Sequence, residues 1–128
     1  MVNATTLIEA TSPVRKAHAP QSGWVKICPI DSILPWSGVA ALVDGHQIAI
    51  FRLDEDRVYA ISNYDPFSKA HVISRGLVGD RKGVIKVASP IYKQSFSLET
   101  GQCLDDPTVS LPVWPARVAN RMVQIALL

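Results

Sequence analysis

The sequence predicts an all-β fold, an antiparallel β-sandwich or set of small barrels with two loops at one end. Three observations lead there. Short runs of β-branched and aromatic residues recur at close spacing between polar turns. No segment sustains a 3.6-residue apolar period. The nine prolines suit sheet edges and loops, where a missing N–H is tolerated, and not helix interiors.

The elements follow in order. Residues 1–22 are rich in Ala, Thr, Ser and Pro without a hydrophobic period, so they read as a flexible N-terminal tail ahead of a single domain, 23–128. Within that tail, Leu7-Ile8-Glu9 is compatible with one helical turn. Trp24 to Cys28 alternates as a first strand, and Asp31 to Pro35 is a turn closed by proline. Gly38 to Val43 and Gln47 to Leu53 flank Asp44-Gly45, the strongest hairpin signal in the chain. The acidic turn Asp54-Glu55-Asp56 precedes a strand at Arg57 to Ile61. A long loop, Asn63 to Asp80, follows. Val84 to Ala88 and Gln94 to Leu98 flank a second loop, Ser89 to Ser95. A turn at Glu99 to Gln102 leads to a short strand at Cys103-Leu104. Val113 to Val118 and Met122 to Leu127 close the chain around a turn at Ala119-Asn120-Arg121.

Composition removes several function classes. The chain has 128 residues, 48% of them hydrophobic, enough for one packed core. Thirteen basic against 11 acidic residues leave a formal net charge of +2. That balance creates no field suited to nucleic acid or an anionic membrane. No apolar run approaches the roughly 18 residues of a membrane span, and Met1 to Pro20 lacks the basic and apolar regions of a secretory signal. Cys28 and Cys103 therefore read as reduced thiols of a cytoplasmic protein.

The two loops carry the distinctive pattern. Asn63-Tyr64-Asp65-Pro66-Phe67 and Ser89-Pro90-Ile91-Tyr92-Lys93-Gln94-Ser95-Phe96 resemble the cluster-holding loops of a Rieske iron–sulfur domain. That family reads Cys-x-His in the first loop and Cys-Pro-x-His-x-x-x-Phe in the second, two thiolates on one iron and two imidazoles on the other. Here the four ligand slots hold Asp65, Phe67, Ser89 and Tyr92, while Pro90 and Phe96 keep their places. A phenyl ring donates nothing to iron, a serine hydroxyl is a poor thiolate substitute, and a tyrosine would have to ionise with a reference pKa of about 10. The frame resembles a Rieske domain without the donors for its cluster. A mononuclear site built on Asp65 and His71 lacks a third ligand.

The resemblance extends further. Gly38 to Val43, Gln47 to Arg52, Val58 to Ile61, Asp65-Pro66-Phe67, Ser74 to Asp80, Val87 to Gln94 and Thr100 to Leu104 together resemble the small subunit of NADH-dependent assimilatory nitrite reductase. The loop substitutions themselves belong to that family's pattern. The resemblance implies a non-catalytic subunit of an enzyme that reduces nitrite to ammonium with NAD(P)H. It implies a large subunit carrying FAD, an iron–sulfur cluster and siroheme, and no cofactor in this chain. The competing readings are a stand-alone protein–protein adaptor and a Rieske-type electron carrier with an unrecognised metal site.

Each marked residue then has an expected role. Phe67 and Tyr92 fill the space a cluster would leave, and Asp65 and Ser89 cap loop amides by hydrogen bonding. No catalytic, cofactor-binding or metal-binding residue is assigned. Gly76 and Gly79 supply loop backbone freedom. Trp24, Trp36 and Trp114 serve packing, with Trp36 between Pro35 and Ser37 open to exposure. Arg75, Lys93 and Gln94 are the candidate partner-docking residues, since loops concentrate such contacts.

Overall fold

The computed structural model describes residues 7–10 and 23–127. Its centre is β4 (His46–Arg52), buried on both faces. Strict alternation sends Ile48 and Ile50 to one apolar cluster and Ala49 and Phe51 to another. The neighbouring strands β3 (Ser37–Val43) and β5 (Val58–Ser62) pair antiparallel with β4. They divide in the same way: Ala41, Val43, Val58 and Ala60 face the first cluster, and Ile61 faces the second. One central sheet thus separates two cores.

The first core is closed by a sheet of β12 (Ala116–Ala119), β13 (Met122–Ala126) and β2 (Trp24–Pro29), which contributes Val25, Ile27, Val123 and Ile125. The second is closed by β8 (Leu77–Arg81), β9 (Val84–Ala88) and β10 (Ser95–Ser97). Val87 and Phe96 enter it fully buried. A small hairpin, β6 (Tyr64–Asp65) with β7 (Ala70–His71), projects beside that sheet. β11 (Val113–Trp114) pairs with β5. The all-β prediction holds, with 3-10 turns only at Ile30–Ser32 and Ile73–Arg75 among the described residues.

Several local expectations change. Leu7–Ala10 is no helical turn but β1, parallel to β3, with Ile8 packed against the first core; the rest of residues 1–22 lies outside the described residues. Leu77 to Asp80, assigned to the long loop, belongs to the edge strand β8 (Leu77–Arg81). Cys103 and Leu104 form no strand, only an isolated bridge from Cys103 to Phe96. Pro115 divides the expected strand Val113 to Val118 into β11 and β12, since it has no N–H to give a ladder.

Candidate functional site

The hairpin β6–β7 and the loop after β9 meet through Asp65 and Ser89. Asp65 is wholly buried and Ser89 nearly so. The Ser89 hydroxyl donates to Asp65 Oδ2 at 2.5 Å, across 24 positions of sequence. Asp65 also accepts from the Phe67 amide (2.9 Å) and from Ser68 Oγ (2.9 Å). Its backbone carbonyl takes the Lys69 N–H, closing the hairpin. Burial opposes ionisation of this carboxyl, but the hydrogen bonds from Ser89, Phe67 and Ser68 outweigh it and hold the pKa below the ordinary aspartate value. Two slots of the metal pattern have become an ionised clasp.

The other two slots part company. Phe67 lies 6.1 Å from Phe96, centroid to centroid and tilted by 43°, and packs against the second core. It is partly buried there and fills apolar space, worth less than the about 1.5–3 kcal/mol of a fully buried aromatic. Tyr92 does not. It is 62% exposed, beside Ile91 at 45%. The expectation that Tyr92 plugs the cluster's space is corrected: with the clasp and the Phe67–Phe96 pair in place, its ring turns to solvent.

Both loops are braced from below. The Ser89 amide donates to the Gln94 carbonyl at 2.9 Å, and Asp105 accepts from the Ser95 amide at 2.8 Å. Arg81 donates to Asp105 at 3.2 Å and to Ser95 Oγ at 3.2 Å. The Ser95 amide bond, then the Arg81 contact, hold the Asp105 carboxyl below its usual pKa against partial burial. On the first loop, buried Asn63 accepts from the Ser74 amide at 2.7 Å and donates to Gln47. Asn63, Arg81 and Asp105 carry no local sign of these roles, because each partner is 10 or more positions distant.

Gly76 has a different role from the one expected. Its φ is −77°, open to any residue. An added Cβ would sit 2.4 Å from the Ala88 carbonyl oxygen and 2.7 Å from a Val87 methyl. Close approach of the loop to β9 requires this glycine, not backbone freedom. Gly79 shows no such crowding, its nearest neighbour being Lys86 Cε at 3.6 Å.

The remaining candidates separate. His71 is exposed and lies against Tyr64, ring centroids 5.1 Å apart and planes tilted by 57°, on the face of the hairpin opposite Asp65. The pair cannot share a metal. Among the described residues no three His, Cys, Asp or Glu side chains converge as a metal-binding group. Cys28 lies in the first core and Cys103 in the second, both buried and unbridged; burial raises the Cys28 thiol pKa. Trp36 is exposed, while Trp24 stacks under Arg117 at 4.1 Å. Arg75 and Lys93 are exposed without an ion pair among the described residues. Gln94 is half-buried, with its side-chain oxygen unpartnered.

A family model for a Rieske-like [2Fe-2S] domain matches residues 23–126. The nitrite reductase (NADH) small subunit of Salmonella typhimurium is 50% identical over 105 residues, covering 81% of this chain and 97% of that protein. The chain belongs to the nitrite reductase small-subunit family. The solution structure of the nitrite reductase [NAD(P)H] small subunit from Erwinia carotovora superposes with a TM-score of 0.73 at 46% identity, covering 84% of each chain. A nitrite reductase [NAD(P)H] large subunit from Klebsiella oxytoca also matches, 41% identical over 106 residues, which span 83% of this chain but 11% of that one.

In this small subunit the side chains at the four ligand positions cannot hold the [2Fe-2S] cluster of the matched domain family. Asp65 and Ser89 use their oxygens on each other, and Phe67 offers no donor. Tyr92, the remaining slot, faces away. The residues do not fit a [2Fe–2S] group. As a nitrite reductase subunit the protein is part of an oxidoreductase whose catalysis resides in the complex.

Proposed function

We propose that this subunit stabilises and positions the large catalytic subunit, binding it through the clasped loops. The observation that carries this is the replacement of metal ligands by a hydrogen-bonded clasp beside exposed, unpaired Arg75 and Lys93. The loop end keeps its shape but has exchanged redox chemistry for a rigid surface. Arg75 and Lys93 supply the charged contacts, and Gln94 anchors the loop that carries Lys93. The partner carries FAD, an iron–sulfur cluster and siroheme, and the complex works in the cytoplasm on nitrite with NADH or NADPH. A Klebsiella large subunit containing a stretch similar to this chain supports a function exercised inside one assembly. Residues 23–128 form the docking domain, to which Leu7–Ala10 adds the strand β1.

The test is co-purification. The full-length chain with Arg75→Glu and Lys93→Glu should lose most of its association with the large subunit while keeping its thermal midpoint. Unchanged assembly would overturn the docking role of these loops.

A further inference from the structure

The loop after β9 is rigid at its ends and apolar at its tip. Ser89 is fixed by its amide to Gln94 and by its hydroxyl to Asp65, and the Ile91 amide approaches Ser89 Oγ at 3.4 Å. Ile91 and Tyr92 nevertheless stand 45% and 62% exposed. Leu77, 76% exposed, sits opposite Ala88 in the β8–β9 register, at the same end of that sheet. Isolated surface hydrophobics need no explanation, but adjacent ones on a braced loop mark a contact.

The surrounding charge is one-sided. Across 63–77 and 89–94 the only carboxylate is Asp65, which is buried in the clasp, whereas Lys69, Arg75 and Lys93 are all exposed. Elsewhere Arg57, Arg81 and Arg121 pair with acids, Arg52 binds carbonyls and Arg117 stacks on Trp24. Among the described residues Arg75 is the arginine left without a partner. An apolar loop tip whose flanking segments expose only cations fits an apolar recess with an acidic margin.

We infer that Ile91 and Tyr92 are the apolar anchor with which this subunit seats in such a recess on the large subunit, steered by Lys69, Arg75 and Lys93. The inference rests on the docking reading above and names its energetic centre. The slot that holds a ligand in the Rieske pattern now serves the contact between chains.

Surface-captured full-length chain and purified large subunit would separate the parts. Ile91→Ser with Tyr92→Ser should speed dissociation by at least about tenfold, with Tyr92→Phe staying within about threefold. Lys93→Glu should chiefly slow association and flatten its salt dependence. Unchanged dissociation for the Ile91→Ser, Tyr92→Ser variant, at an unchanged thermal midpoint, would overturn the anchor while leaving docking intact. So would an effect confined to self-association of the isolated subunit. Failure of the unaltered chain to bind would remove the docking reading and the anchor with it.

Discussion

Replacing Ser89 with alanine removes one bond of the clasp and leaves Asp65 with the Phe67 amide and Ser68 hydroxyl, at 2.9 Å each. A hydrogen bond to a charged group contributes about 1.5–3 kcal/mol net, so Ser89→Ala should cost that much. Asp65→Ala strands three donors, one of them the buried Ser89 hydroxyl, and should cost about 3–5 kcal/mol. The double variant should fall short of the sum by about 1–2 kcal/mol, because both single changes break the same bond. Against a domain stability of about 5–15 kcal/mol, these are large effects. Acid provides an independent check. The folded-state Asp65 pKa is depressed, so the unfolded chain takes up this proton first as pH falls. The clasp's contribution is complete above an unfolded aspartate pKa of about 3.9 and is lost as pH drops through the lower folded value. Urea titrations followed by tryptophan fluorescence between about pH 2 and 7 would measure both. A Ser89→Ala cost under about 0.5 kcal/mol, or a difference between parent and Asp65→Ala that ignores acid, would refute the clasp.

Two further outcomes follow from backbone geometry. Gly76→Ala drives a methyl into the Ala88 carbonyl at 2.4 Å, and should cost about 2–3 kcal/mol and lower the thermal midpoint by roughly 8–15 °C; a midpoint within about 2 °C of the parent would show that the loop yields. Lys93 holds φ at +66°, which disfavours any side chain. Lys93→Gly should therefore raise stability by up to about 1 kcal/mol in denaturant titration while weakening association with the large subunit, and a clear loss of stability would contradict it.

The frame was legible where signals are local. Short apolar runs between polar turns marked β3, β4 and β5, and Asp44-Gly45 marked the hairpin of the first two. The spacing of Pro90 and Phe96 placed the second loop, and the residue types at the four ligand slots excluded a cluster. What stayed hidden depends on distant partners. β1 joins β3 across more than 30 positions in parallel register, a pairing without a turn to announce it. β8 begins with exposed Leu77 and carries Gly79 and Asp80, so it lacks the apolar run that identifies inner strands. The aromatic character of Tyr92 suggested a plug, but its direction is decided by how closely Asp65 and Ser89 approach. Asp105 resembles an ordinary loop acid until Arg81 and the Ser95 amide are seen against it.

Joining two loops through oxygen instead of iron changes what the fold depends on. Its correct closure needs no cluster-assembly machinery, no sulfide and no anaerobic step, only the chain itself. A cell short of iron would still make this subunit in finished form, and chelators or air would leave it intact.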